Sequence, residues 1–152
     1  MLSREELTNI ISGLLPGAEF PEDRQLLEVI VPAESYFSLA EKLKSDPKTA
    51  FNYLITQTAV DFKTYMTVVC HLESTEFRHV VVLKANLTDR ENPAIDSLTA
   101  LYPAAEYFER EIFDLFGIRF NNHPNLKRLF LEDDYGYPLR KDFRDEINII
   151  ER

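Results

Sequence analysis

Apolar residues recur at Leu7, Ile10, Ile11, Leu14 and Leu15, the spacing of one face of a helix over residues 4–15. Ser3 and Glu6 form a capping-box pattern before it, and Pro16-Gly17 ends it. Ala18–Phe20 reads as a short strand, residues 21–23 as a turn, and Leu26–Val31 as a second strand, together a hairpin. Pro32 opens a helical segment carrying Tyr36, Phe37, Leu39, Ala40 and Leu43, closed by Ser45-Asp46-Pro47. Three alternating stretches rich in Val, Thr, Tyr and Phe follow: Phe51–Val60, Thr64–His71 and Phe77–Leu87. The links between them are short and polar, which predicts antiparallel neighbours. Thr88–Pro93 is a polar loop. A last helix fits between Pro103, suited to a first helical position, and Gly117, suited to a left-handed stop.

The order α-β-β-α-β-β-β-α predicts an α+β fold in two layers, with helices packed on one mainly antiparallel or mixed sheet of about five strands. The periodicity divides the chain into a folded unit, residues 1–116, and an extended C-terminal tail, residues 117–152, that binds a partner. There is no internal repeat and no low-complexity linker. A tail of that length without regular structure needs a surface to lie on.

Placed at about 100° per residue, Ala104, Ala105, Phe108, Ile112 and Leu115 share one stripe of the last helix, the face for the core. Glu106, Arg110 and Asp114 lie roughly opposite, with Glu106 and Arg110 in the favourable acid-first order. Phe113 falls outside the stripe and Phe116 at its edge. Either the tail folds back over them or they contact another protein, and both can hold. Arg119, Lys127, Arg128, Arg140, Lys141 and Arg144 outnumber Glu132, Asp133, Asp134 and Asp142 between residues 117 and 144, so this segment is mildly basic. With Leu126, Leu129, Phe130 and Leu131 it suits a partner better than water.

Composition narrows the function classes. The chain has 152 residues, 45% of them hydrophobic, enough for one domain with a sizeable core. Its net charge of −9 argues against nucleic acid as a partner and against direct attraction to an anionic membrane. No apolar run approaches the ~18 residues of a spanning helix, so no direct membrane insertion is expected. Met1-Leu2-Ser3-Arg4-Glu5 resembles neither a signal nor a transit peptide, which predicts a protein that works where it is made. A single cysteine, Cys70, reads as a core residue and forms neither an intrachain disulfide nor a cluster site. With three histidines and no metal-ligand spacing, any redox cofactors are expected on other chains. Glu109, Glu111, Asp114 and His123 could in principle supply acid–base catalysis. However, Glu109 and Glu111 diverge on a helix, and no nucleophile or phosphate loop accompanies them. His123 before Pro124 reads as fixing a turn.

One long run remains: Glu109-Arg110-Glu111-Ile112-Phe113-Asp114-Leu115-Phe116-Gly117-Ile118, then Phe120, then His123-Pro124-Asn125-Leu126-Lys127-Arg128, then Pro138-Leu139-Arg140-Lys141-Asp142. It resembles the C subunit of the proton-pumping NADH–quinone oxidoreductase, respiratory complex I. That family's pattern is roughly E-R-E-x-x-D-[LMF]-[FY]-G-I-x-F, H-P-[DN]-L-[RK]-R and P-L-R-K-D. Phe51-Asn52-Tyr53-Leu54 and Ala59-Val60-Asp61 are similar to its strand region, and the likeness weakens over the first fifty residues. Tyr107 stands where family members often have Trp. The resemblance implies a chain with no cofactor of its own, with NADH, FMN, iron–sulfur clusters and quinone on other subunits. It implies a place in the hydrophilic arm, peripheral on the cytoplasmic face of the inner membrane. There the chain would lie against the large hydrogenase-like subunit and neighbouring arm subunits, with its tail extending over the large one. Glu109, Arg110, Glu111, Phe113, Asp114, His123, Arg128, Arg140, Lys141 and Asp142 are then the expected partner interface. Relatives of complex I, such as membrane-bound hydrogenases, contain similar subunits and form the alternative. The tail is expected to be mobile alone and ordered on its partner.

Overall fold

A computed structural model describes residues 1–145, so residues 146–152 of the expected tail lie outside the described residues. Helix α1 (Arg4–Leu14) is closed at its start by the expected capping box. Ser3 Oγ accepts from the Glu6 amide at 3.2 Å, and Glu6 Oε2 accepts from the Ser3 amide at 2.7 Å. Strand β1 (Leu27–Pro32), a 3-10 turn and helix α2 (Tyr36–Ser45) follow. Strands β2 (Tyr53–Asp61), β3 (Met66–Glu73) and β4 (Val80–Leu87) form an antiparallel meander. The sheet order is β1-β4-β3-β2, with β1 parallel to β4, so the α+β class and the mixed sheet stand as expected. Alternation along the strands explains the layering. Leu27, Val29 and Val31, then Met66, Val68, Cys70 and Leu72, then Val81, Leu83, Ala85 and Leu87 are all buried in one cluster. Leu7 and Ile11 of α1 and Tyr36, Leu39, Ala40 and Leu43 of α2 complete it.

The strands are distributed differently from the expected single sheet. The hairpin expected over residues 18–31 reduces to one antiparallel bridge, Glu19 to Ile30, while β1 makes its continuous pairing in parallel with β4. Two short strands that the alternation does not reveal, β5 (Ala94–Asp96) and β6 (Arg119–Asn121), pair in parallel on either side of helix α3 (Ala105–Phe116). Three residues are too few to show a period. α3 begins two residues after Pro103 and ends on Gly117, whose φ of 73° is the left-handed stop. The segment beyond β6 has no helix or strand among the described residues.

A bulge between Leu54 and Thr56 sets up everything that follows. The extra residue shifts the strand's phase, so Ile55 is 39% exposed while Gln57, Ala59 and Asp61 turn inward. That places two polar side chains, Gln57 and Asp61, on the side of the sheet where α3 and the tail lie.

Candidate functional site

Gln57 reaches Glu109, the first motif residue, in the centre of the molecule. Gln57 Nε2 donates to Tyr36 Oη at 3.2 Å and to Glu109 Oε1 at 3.3 Å. The Leu98 amide donates to Oε1 at 2.7 Å and Ser97 Oγ to Oε2 at 2.6 Å. Burial pushes the Glu109 carboxyl above its usual range, opposed by the hydrogen bonds from Ser97, Leu98 and Gln57 and by His123. His123 Nε2 lies 3.9 Å from Oε2 but hydrogen-bonds the Glu106 carbonyl at 3.0 Å, while Nδ1 accepts from the Asn125 amide at 3.0 Å. With both ring nitrogens engaged, His123 fastens the tail's first turn to the middle of α3.

Asp114 is buried one turn and a half further along, and it receives the tail. Its Oδ1 accepts from Arg128 Nε at 2.5 Å, and its Oδ2 accepts from the amides of Phe130 at 2.9 Å and Leu131 at 3.2 Å. Burial alone would raise this carboxyl, but the Phe130 amide, Arg128 and the Leu131 amide outweigh it and hold the group below the usual range. Arg128 also donates to the Gly136 carbonyl at 2.6 Å. The guanidinium groups of Arg128 and Arg140 lie 5.1 and 5.0 Å from the Tyr137 ring centre, on a ring that also approaches Phe113 at 6.3 Å. Arg140 Nε donates to the Phe116 carbonyl at 2.6 Å, and the Leu139 amide to the Leu115 carbonyl at 3.0 Å. Those carbonyls are free at a helix end, so the tail completes the C-terminus of α3.

Gly117 makes this approach possible. A Cβ there would stand 2.6 Å from two Tyr137 ring carbons and 2.8 Å from Arg140 Nη2. Arg110 adds hydrogen bonds to the carbonyls of Lys127 at 3.4 Å and Arg128 at 3.2 Å.

A second carboxylate grips the tail's far part. Asp61, 3% exposed at the end of β2, accepts from the Lys63 amide at 2.8 Å, the Lys141 amide at 2.7 Å, and Arg90. Burial opposes ionisation, yet Arg90 and the two amides dominate and bring this carboxyl down to about 2. Arg90 donates in turn to Asp142 at 3.0 Å.

The expected interface residues therefore divide three ways. Glu109 and Asp114 lie wholly inside this chain, and the His123 side chain is equally buried. Arg110, Phe113, Arg128 and Arg140 are partly buried where α3 meets the tail. Glu111, Lys141 and Asp142 are exposed. Asp114 does not face away from the core as the helical wheel suggests, because α3 is covered on two sides, by the sheet and by the tail. Of the two readings for Phe113, the tail folding back is observed. Sequence reasoning did not single out Asp61, Arg90, Tyr137, Gln57 or Ser97. Only Asp61 carried a signal, as the acid closing Ala59-Val60-Asp61. Among the described residues no group of three His, Cys, Asp or Glu side chains converges as a metal site, and no helix is long and apolar enough to cross a membrane.

Residues 29–147 match the model of the family described as respiratory-chain NADH dehydrogenase, 30 Kd subunit. The NADH-quinone oxidoreductase C subunit of Moorella thermoacetica is 44% identical over 137 residues, covering 88% of this chain and 90% of that protein. The NADH-quinone oxidoreductase C/D subunit of Phocaeicola vulgatus is 40% identical over 120 residues, covering 78% of this chain and 23% of that longer one. Among solved structures, a chain of the membrane-bound sulfane sulfur reductase, an archaeal respiratory membrane complex, superposes with a TM-score of 0.79. It is 29% identical, and the likeness covers 94% of this chain and 86% of that one.

Proposed function

The chain belongs to the family of the 30 kd subunit of respiratory-chain NADH dehydrogenase, and on that premise we propose that it is a structural and assembly subunit of the hydrophilic arm of an NADH–quinone oxidoreductase. The complex passes electrons from NADH to quinone and couples this to proton translocation. The chain itself holds no cofactor and performs no chemical step; NADH, FMN, iron–sulfur clusters and quinone belong to other subunits. It docks peripherally, on the cytoplasmic face of the inner membrane, against the large hydrogenase-like subunit.

One observation carries this reading. The motif from Glu109 to Asp142 is spent largely on fastening the segment beyond β6 along the end of α3, while Phe130 remains 80% exposed on its outside. Tyr135 and Leu139 of the same fastened segment are exposed as well, and apolar groups exposed on one segment suit a contact with a partner. The C/D protein of Phocaeicola vulgatus supports the choice of partner, since its name joins this subunit with a second, D, which we take as the large one. Glu111, Lys141 and Asp142 then contribute directly to the interface. Glu109, Arg110, Phe113, Asp114, His123, Arg128 and Arg140 contribute by shaping the surface that docks. The likeness to a sulfane sulfur reductase chain favours a second reading, the equivalent subunit of a membrane-bound hydrogenase-type or other donor-specific complex.

Affinity purification of the tagged chain from mild-detergent membranes of its own source tests both. Recovery of the large subunit with NADH-binding subunits confirms the first reading. Recovery of the large subunit without them moves the chain to the second. Recovery of neither refutes both.

A further inference from the structure

Asp61 brings three cations to one place. Its Oδ1 accepts from the Lys63 amide at 2.8 Å and its Oδ2 from the Lys141 amide at 2.7 Å. One buried carboxylate thus sets a lysine of the link between β2 and β3 beside a lysine of the tail, far from it in the chain. Arg90, from the loop after β4, joins them through its ion pair with Asp61. The charge of Asp61 is answered by Arg90 and the two amides, so it neutralises neither lysine side chain.

Lys63, Arg90, Lys141 and Asp142 together line a cavity of about 250 Å³ at the surface. Three of these four groups are cations, on a chain in which 26 acids outnumber 17 lysines and arginines. Neither lysine ammonium forms an ion pair among the described residues. Like charges that converge on one space repel each other, and an anion between them relieves that repulsion. Asp142 is the acid of the lining. Its side chain is 73% exposed and is held by Arg90 Nη2 at 3.0 Å, so it can give way to a ligand without leaving a buried charge behind.

The donors select the kind of anion. A carboxylate matches the planar fork of an arginine, but Arg90 already gives Nη1 to Asp61 and Nη2 to Asp142. The remaining donors are two ammonium groups from separate segments, point charges that suit a tetrahedral oxyanion. The cavity is smaller than the roughly 300–1,000 Å³ that encloses a drug-sized ligand, so it takes a phosphate and leaves a substituent on that phosphate in water. From this we infer that Lys63, Arg90 and Lys141 form a binding site for a phosphate group, carried by a small soluble ester or by a lipid headgroup. The bound phosphate bridges the β2–β3 link and the tail. The site is a property of the isolated chain and stands or falls apart from the docking role proposed above, although Lys141 and Asp142 border both.

Two measurements on the full chain test it. The first follows amide resonances while inorganic phosphate, glycerol phosphate or chloride is added at constant ionic strength. The amides of Lys63 and Lys141 are expected to shift saturably with phosphate and with its ester, and not with chloride. Lys63→Gln/Lys141→Gln is expected to weaken binding at least about tenfold, and Lys63→Arg/Lys141→Arg to retain it, because the site needs the two charges. Unchanged β3 resonances show that both variants are folded. The second measurement is co-sedimentation with phosphatidylglycerol vesicles, against phosphatidylcholine vesicles. Sedimentation with the first alone, lost in the glutamine variant, supports the site and gives a lipid headgroup as its source. Saturation by glycerol phosphate without sedimentation supports the site with a soluble ester. Shifts that chloride reproduces or that the glutamine variant retains are salt screening only and overturn the site, as does the absence of saturable change with every probe.

Discussion

Gly117→Ala tests the packing of the tail on α3. Gly117 has φ of 73°, where an alanine costs about 1 kcal/mol. The new methyl carbon would also sit 2.6 Å from two Tyr137 ring atoms, against about 3.5–4.0 Å for an ordinary carbon contact. The ring must move by roughly 1 Å. It then loses part of its stacking between Arg128 and Arg140, for about 1–2 kcal/mol more at a partly desolvated site. The sum is about 2–3 kcal/mol, which for a chain of this size lowers Tm by roughly 5–10 °C. Thermal and urea denaturation of the isolated chain measure it. A double-mutant cycle separates the two causes. In the Tyr137→Ala background there is no ring to strike, so Gly117→Ala should cost only the conformational part, about 1 kcal/mol. If the cost is the same in both backgrounds, the steric reasoning is wrong and the glycine is there for its dihedral angle alone.

Other outcomes follow from the buried titrating groups. Asp61 and Asp114 are held below the ordinary carboxylate range, so the stability they contribute is present above an ordinary value of 3.8 and is lost as pH falls through their lowered range, toward about 2 for Asp61. Acid titration followed by NMR should show the Tyr137 ring and the Lys141 amide shifting in that window, and a shift complete by pH ~5 would contradict the assignment. Glu109 carries the opposite sign. Its carboxyl is raised, so its ionisation costs stability as pH climbs past the ordinary 4.5. Glu109→Gln should therefore be at least as stable as wild type at neutral pH by urea denaturation. Glu109→Ala, which strands the Leu98 amide and Ser97, should lose about 2–4 kcal/mol. Cys70 is buried and its thiol is pushed up to about 12 by that burial, with Tyr36 lowering it and Glu109 raising it. A thiol reagent at pH ~8 should label it only after unfolding, and rapid labelling of the native chain would refute its placement.

The layers are legible wherever period and length are both sufficient. The alternation in β2, β3 and β4 and the capping box of α1 each predict an element that is present. The β5–β6 pair is not legible, because strands of three residues carry no period. The bulge at Ile55 is hidden for a related reason. A one-residue phase shift inside an alternating run still reads as alternation on either side. Without it, Gln57 and Asp61 have no visible reason to face inward. α3 is harder still, since a helical wheel assumes one core, and Asp114 is buried by a surface that residues 128–131 supply. The motif is readable as a motif, but its division into buried carboxylates, tail-binding cations and exposed residues depends on contacts between residues far apart in the chain.

One of those contacts spans 80 positions, from the Asp61 carboxylate to the Lys141 amide. On a ribosome, β2 emerges long before its final ligand is made. Until then Asp61 and Arg90 have only each other and the Lys63 amide. The clamp closes only when synthesis has passed Lys141. A product released before that point, or trimmed back beyond it by a protease, leaves this carboxylate short of a donor. That contact thus registers whether the tail has been made as far as Lys141, and it does so within the polypeptide itself, before any other subunit is involved.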